Sequence, residues 1–301
     1  MEVVTYQPQY LDELTRLYNE LTGPVPHCSA ITATELAAAF AGDCGYEAYG
    51  ERLEQEAVFV ALEREVMGFV HVGQGKTRQR DGGQPLGSLR FLAYPRGRRD
   101  AGQALLERAE TWLRAAGLDS VLVYRQAYRY PFYHFAHAFL SNHLEHIQAL
   151  LQMNGYQVCG GEIFLDWPHM NPGPAIEGSG LAIELGLKKT PGLGSLPDIK
   201  VVAYHHGQEI GTCISLSAAS FSRREIDEDW IFTNWLGITE AYQGRGLGRY
   251  LLDCALIEAR ESGYRHAAIS TAIDNPRALL FYANCGYQAV DWTRQFSRRL
   301  S

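Results

Sequence analysis

Apolar positions recur along the chain at two periods, and the switches between them predict its elements. Leu11, Leu14, Leu17, Tyr18 and Leu21 share one face at helical spacing, so a helix is expected over 10–21, after a short first strand over 1–6. Thr32 and Glu35 stand three apart ahead of an apolar run over 36–40, the spacing of a capping box. Ala57–Leu62 and Val66–His71 are apolar runs separated by a short polar gap, which reads as a hairpin, and Lys76–Gly83 is a polar loop. Leu89–Tyr94 and Asp119–Arg125 read as strands, and Ala101–Ala116 as a helix closed by Gly117. Gln126–Leu140 is dense in Tyr, Phe and His. A helix over 142–153 stopping at Asn154-Gly155 and a closing strand over Glu162–Trp167 complete this half.

Met170–Gly180 is rich in Pro and Gly with few apolar anchors, which is linker composition. The expected organisation is therefore a domain over 1–170, a linker over 171–180 and a second domain over 181–301. The second half repeats the first. Leu181–Leu187 answers the first strand, and Ile199–Tyr204 with Glu209–Ser215 answers the hairpin. A shift of 146 carries Gly117 to Gly263, Leu105-Leu106 to Leu251-Leu252 and Gly102 to Gly248. Gly155-Tyr156 falls on Gly286-Tyr287 at a shift of 131, so the first half holds about 15 extra residues, the aromatic stretch.

The two periods meet in Trp230–Leu252. Trp230, Ile231, Phe232 and Trp235 suit a strand, and Leu247, Tyr250, Leu251, Ala255 and Leu256 suit a helix face. Between them lies Gln243-Gly244-Arg245-Gly246-Leu247-Gly248. A glycine-rich turn feeding a helix aims free N–H groups and the positive end of the helix dipole at one spot, which is pyrophosphate chemistry. A dinucleotide fingerprint fails because its last glycine position is Arg249, and no Gly-Lys-Ser/Thr completes a P-loop. What fits is Q/R-x-x-G-x-G/A, on Gln243, Gly246 and Gly248; a ligand-free turn is the plain alternative.

Downstream, Asn275, Ala278, Tyr282, Gly286 and Tyr287 fit N-x-x-A-x-x-x-Y-x-x-x-G-F/Y. Both motifs, in this order and separated by one helix and one strand, resemble the GNAT superfamily of acyl-CoA N-acyltransferases. The resemblance covers about 120 residues well and most of the rest more weakly. It implies an α/β (α+β, mixed-sheet) fold in two tandem GNAT-type units, with a layout similar to mycothiol synthase and other two-unit acetyltransferases. It implies acetyl transfer from acetyl-CoA to an amine by direct attack. Main chain of Leu236, Gly237 and Ile238 would pair with the pantetheine arm, where the fourth and fifth strands splay apart. Backbone of Gly244, Arg245, Gly246, Leu247, Gly248 and Arg249 would hold the pyrophosphate, with Gln243 in the motif and Arg245 and Arg249 as charged donors; solvated helix-face arginines are the other reading. Tyr282 is the expected general acid, the alternative being a core tyrosine. Asn275 either caps the last helix or steadies the arm.

The first half departs from the motif. Asp100 stands where Gly246 does, and Leu151 where Tyr282 does, so its acetyl-CoA site is expected to be degenerate. The second half departs too. The interval that spans about fifty residues and two helices in the first half is reduced to Lys188–Asp198, so the acceptor wall is expected from the first domain or a second subunit of a homodimer. The glutamate many family members carry on the fourth strand is replaced by Phe232. Asn234, two residues on, is expected on the same face and able to orient a water. Glu225, Asp227, Glu228 and Asp229 read as a solvated turn, and His205-His206 as a hairpin tip. An inactive acyl-CoA-binding or regulatory protein is the alternative that Phe232 favours.

Composition narrows the partners. A 46% apolar chain can build packed cores, and a net charge of -7 argues against general nucleic-acid or anionic-membrane binding. Six cysteines with no C-x-x-C pair suggest neither zinc nor disulfides, and no stretch reads as a signal peptide or membrane span, so a cytoplasmic setting is expected. The acceptor amine is expected to be a small molecule rather than a protein.

Overall fold

The computed structural model describes residues 1–43, 53–76, 83–135, 137, 139–221 and 227–300. They form two mixed sheets of seven strands, each flanked by helices. By contacts, one unit is residues 1–162 with 291–301, and the other is 163–290.

Unit 1 opens with β1 (Glu2–Thr5), then α1 (Leu11–Thr22) and α2 (Ala33–Phe40). The capping box is present: the Thr32 hydroxyl accepts from the Glu35 amide, and Glu35 accepts from the Thr32 amide. Strands β2 (Gln55–Leu62), β3 (Val66–Lys76) and β4 (Pro85–Ala93) form an antiparallel meander. Helix α3 (Arg99–Ala115) returns the chain to β5 (Ser120–Val123), parallel to β4, and α4 (Glu145–Met153) leads to β6 (Gln157–Gly160). Leu105, Leu106, Ala109 and Leu113 bury one face of α3, while Tyr18, Phe69, Phe91, Tyr130 and Tyr133 form an aromatic interior elsewhere in the same core.

Unit 2 repeats the plan. Strands β7 (Glu162–Trp167), β8 (Glu184–Thr190), β9 (Asp198–His205), β10 (Gln208–Ser217) and β11 (Trp230–Ile238) precede α5 (Leu247–Ser262), β12 (His266–Ala272), α6 (Pro276–Cys285) and β13 (Gln288–Trp292). Seven residues, 191–197, join β8 to β9, so this unit has no counterpart of α1 and α2 in that interval. Leu247, Leu251, Leu252, Ala255, Leu256 and Ala259 bury one face of α5 in the second core.

The expected boundary at 171–180 needs correction. The last strand, β14 (Gln295–Arg299), lies between β5 and β6 in the sheet of unit 1, antiparallel to both. Strand β7, expected to close the first half, lies between β12 and β13 in the sheet of unit 2. The chain therefore leaves unit 1 before β7 and comes back after β13. The return is well held. Phe296 is fully buried, the Thr293 amide donates to Glu162 O (2.8 Å), and the Asp291 carboxylate meets the ring of buried His134 at 2.9 Å. A Cβ on Gly161 would sit 2.1 Å from Thr293 O, so that approach of two backbones requires glycine. The linker composition marks a polar tether, whereas sheet membership is decided by strand pairing far apart in sequence.

Candidate active site

In unit 2, β11 pairs in parallel with β12 from Trp230–His266 to Thr233–Ile269 and no further. Beyond that point β12 continues to Ala272 and β11 to Ile238, so the two strands part as the resemblance implies. On its other side β11 stays paired with β10 through Gly211–Ile238. Residues 234–238 thus have no strand partner on one main-chain edge, where the Ile238 carbonyl accepts from the Gln243 side chain. Asn234 is the extra residue of a β-bulge: Ile214 opposes Trp235, Ser215 opposes Thr233, and nothing opposes Asn234. The expected alternation from Phe232 therefore does not carry to it; Phe232 is buried against Phe164, while Asn234 is exposed.

The chain then makes a single 3-10 turn at Glu240–Tyr242 and enters the glycine turn. Gly244 and Gly246 both lie in the left-handed region, at φ 76° and 80°, and a Cβ on either would meet open space. Gly246 is the N-cap of α5, and the first helical bond runs from the Tyr250 amide to Gly246 O (3.1 Å). The amides of Leu247, Gly248 and Arg249 belong to the first turn, where a helix offers donors that have no carbonyl of its own to meet. Gly248 brings that turn near Ile238 on β11 and Phe281 on α6, each about 4 Å from its ideal Cβ.

The polar side chains of the motif divide by use. Gln243 donates from Nε2 to Ile238 O (2.9 Å), tying the turn to the strand end. Arg245 is exposed on the turn. Arg249 departs from expectation as a charged donor: its Nε bonds both oxygens of Asp253, at 2.8 and 2.7 Å, and Nη1 donates to Asn284 O. Its guanidinium staples α5 to the C-terminal end of α6, where a cation also suits the helix dipole. The signal was present in the sequence, since Asp253 stands four residues on. Asn275 caps α6, accepting from the Ala278 amide at 3.0 Å, with Pro276 at the first helical position.

Tyr282 lies on α6 with 7% of its surface exposed, beside Phe281 and Tyr287. Burial, with the thiols of Cys213 and Cys285 nearby, pushes its phenol well above the usual tyrosine range. Cys213 is also the register partner of Leu236, so the phenol and the free edge share one neighbour. Glu209, Thr212, Trp235, Gly237 and Thr239 help to line an open groove of about 350 Å³.

Other candidates lie elsewhere. Asp229 precedes β11, about 17 Å along the strand from Asn234 at ~3.3 Å per residue, and its carboxylate faces His266. Glu228 accepts from the Ser195 hydroxyl (3.3 Å), and Glu225 lies outside the described residues. His205 and His206 lie side by side at the tip of the β9–β10 hairpin, their rings tilted by 46°, with the His205 ring 5.8 Å from Tyr242. No group of His, Cys, Asp and Glu suited to a metal occurs among the described residues. No helix among them is long and apolar enough to cross a membrane.

A mixed sheet with a bulged, splayed central strand running into a helix N-terminus, built twice in one chain, is the tandem GNAT-like α/β fold, and in unit 2 the strand reaches its helix through a glycine turn. Residues 198–289, within unit 2, match the acetyltransferase (GNAT) domain model. A mycothiol acetyltransferase from Jonesia denitrificans is 39% identical over 56 residues, 19% of this chain and 18% of that protein. Three solved structures share the fold across nearly the whole chain. A GCN5-related glucosamine N-acetyltransferase region of a fungal multi-domain beta-N-acetylglucosaminidase gives a TM-score of 0.69 at 15% identity, covering 99% of this chain and 38% of that one. A tandem GNAT protein from the clavulanic acid biosynthesis pathway gives 0.64 at 12% identity, covering 100% and 98%. A GCN5-related N-acetyltransferase from Sphaerobacter thermophilus gives 0.62 at 17% identity, covering 99% and 95%.

Proposed function

We propose that this protein is an acetyl-CoA-dependent N-acetyltransferase whose working site is the cleft of unit 2. The observation that carries this reading is the edge of β11, which loses β12 after Thr233 and runs through Leu236–Ile238 into the Gly244–Gly248 turn. An arm bearing amides adds to such an edge as a further strand would. A diphosphate suits a left-handed glycine turn feeding a helix, and the open space beside Gly244 and Gly246 leaves room for one.

In this reading main chain of Leu236, Gly237 and Ile238 takes the arm, amides from Gly244 to Arg249 take the diphosphate, and Arg245 adds a charged donor. Gln243 and Asn275 hold the framework, the one through Ile238 O and the other as a helix cap. Bound acetyl-CoA supplies a thioester activated toward an amine. Tyr282 holds its proton because burial opposes the phenolate, which suits a donor to a departing thiolate. Asn234 is exposed at the bulge and orients a water that receives the amine's proton. The acceptor is a small amine, reaching the bulge from the groove beside Trp235.

The test is free-thiol release from acetyl-CoA with a panel of small amines. Release that depends on an amine supports the reading. Tight coenzyme A binding with no release from any amine supports the inactive binder instead, a role that the dry Phe232 side chain would fit. No binding overturns both.

A further inference from the structure

The central strands of the two units align residue for residue. In unit 1, Arg90 is the extra residue of a bulge: His71 opposes Phe91 and Val72 opposes Leu89. Arg90 therefore answers Asn234. The parallel pairing of β4 with β5 ends at Leu89–Val123, as that of β11 with β12 ends at Thr233–Ile269. Leu92 is then the counterpart of Leu236, three residues past the last pair in each case.

Beyond the last pair the two units differ. In unit 2 the next residue is Ser270, and β12 runs on to Ala272. In unit 1 the next residue is Tyr124, and β5 stops before it. Tyr124 is left-handed, at φ 59°, a conformation that costs a bulky side chain about 1–2 kcal/mol. That backbone turns the ring into the splay. Its hydroxyl donates to Leu92 O (3.2 Å) and accepts from the Leu92 amide (3.3 Å), and the ring is 1% exposed against Phe91. One phenol thus satisfies both the donor and the acceptor that Leu92 turns away from β3, as the amides of an extended ligand would.

We propose that unit 1 retains a latent edge for an amide-bearing arm of the pantetheine kind and keeps it filled with its own Tyr124. The neighbouring helix start is also closed. Five residues, 94–98, join β4 to α3, against eight, 239–246, before α5. Arg98 pairs with Asp100 and Glu63 at 3.0 Å each, and Arg96 is clamped to Glu145. The ligand class rests on the acetyl-CoA reading of unit 2; the internal occupancy of the edge does not.

Amide hydrogen exchange at Leu92 and Leu236 in the full chain, with and without coenzyme A, separates the two. The Leu92 amide should be protected without ligand and unchanged by coenzyme A, while Leu236 gains protection only when coenzyme A is added, at one molecule per chain. Tyr124→Phe keeps the ring and should speed exchange at Leu92 about tenfold with Leu236 unaltered. Tyr124→Ser copies unit 2 and should make Leu92 protection depend on added pantetheine. Two molecules of coenzyme A per wild-type chain, protection of Leu92 by coenzyme A, or no change at Leu92 in Tyr124→Phe overturns the proposal. A folded Tyr124→Ser protein whose Leu92 ignores pantetheine overturns the latent edge. If Leu236 never responds to coenzyme A while Leu92 behaves as stated, the reading of unit 2 fails and the tyrosine plug stands.

Discussion

The clefts of the two units share a bulge, a splay and a following helix, yet one is filled with protein and the other is open. In unit 1 the bulge residue Arg90 is fully buried and spends its guanidinium on its own unit. It bonds Glu56 and the carbonyls of Ala39, Asp43, Tyr128 and Arg129, which draws the aromatic stretch over the strand. In unit 2 the same position is Asn234, exposed, with an exposed Trp235 after it. One plan can thus serve as scaffold or as site, depending on whether the free edge of the central strand meets its own chain. A few residues make the choice: Tyr124 against Ser270, Arg90 against Asn234, and a short loop against a glycine turn.

The largest expected effect comes from trying to isolate the open cleft. A fragment over 181–301, cut at the linker, lacks β7, which lies between β12 and β13, and carries β14 without its sheet. A fragment over 163–290 keeps the seven strands of unit 2 nearly whole and drops the returning segment. The first should show no cooperative thermal transition and the second should melt cooperatively. Burying Phe296 alone is worth about 2 kcal/mol to unit 1, so removing 291–301 from the full chain should destabilise unit 1 more than unit 2. Equal folding of both fragments would mean that the exchanged strands contribute little.

Next in size is the glycine turn. Gly246→Asp puts a Cβ at φ 80° and a carboxylate where a diphosphate would lie. Strain of about 1–2 kcal/mol, where the turn must be forced back into shape to bind, and repulsion of ~1 kcal/mol or more together predict at least a ~30-fold loss of coenzyme A affinity. Asp100→Gly in unit 1 should change neither affinity nor stoichiometry, because Tyr124 still fills the edge there. Calorimetry on both variants checks the pair; unchanged affinity in Gly246→Asp moves the phosphate site elsewhere.

What is legible in the sequence is local. The tandem order, the capping box at Thr32 and Glu35, the glycine turn and the cap at Asn275 rest on spacing within one or two turns of chain. Strand β14 (QFSRR) is short and partly polar, and the exchange of β7 and β14 between sheets depends on partners far away. Tyr124 looks like the end of an ordinary strand, because no glycine or asparagine announces its left-handed turn. Arg249 looks like a phosphate donor when residue type is weighed before its (i, i+4) partner Asp253. Alternation assigns Asn234 a face, and a bulge breaks alternation without leaving a mark on composition.

Tyr282→Phe should lower turnover by about 100-fold, the lower end of what a general acid contributes, since thiolates leave fairly well unaided. Affinity for coenzyme A should hold, because the ring stays and the binding groups are main chain. Leu151, the unit 1 counterpart, gives the comparison: the amide after each helix bonds back to it, Tyr156 to Leu151 O and Tyr287 to Tyr282 O, both at 3.1 Å. Leu151→Met should leave turnover within twofold of wild type, as a volume-conserving core swap does. The raised phenol stays protonated through neutral pH, so the deficit of Tyr282→Phe should be largest toward alkaline pH, where other proton donors are lost. Wild-type turnover in the variant would return Tyr282 to the core.

The last expected effect concerns acid. Unit 1 buries two neutral histidines completely, whereas no histidine of unit 2 among the described residues is buried to that degree. His71 lies between Glu56 and Tyr130 with Arg90 close by, and His134 meets Asp291, with His27 and His137 near. Burial, the largest cause, lowers both to about 4 despite their carboxylate partners. An unfolded histidine titrates near ~6.5, so between ~6.5 and 4 the unfolded chain binds protons that the folded unit refuses. Their contribution to stability is therefore complete above ~6.5 and falls as pH drops toward 4, at up to ~1.4 kcal/mol per pH unit for each histidine. Glu56 and Asp291, whose carboxyls sit below their usual range, protect the fold until lower pH still. His266 in unit 2 is also lowered by burial, but it is partly exposed, and water screens much of its effect. Hydrogen exchange from pH 7 to 4.5 should therefore show the core of unit 1 loosening before that of unit 2, and His71→Gln with His134→Gln should flatten the slope. Loosening that begins in unit 2, or a slope that survives both substitutions, would mean that the filled cleft is not the acid-sensitive half.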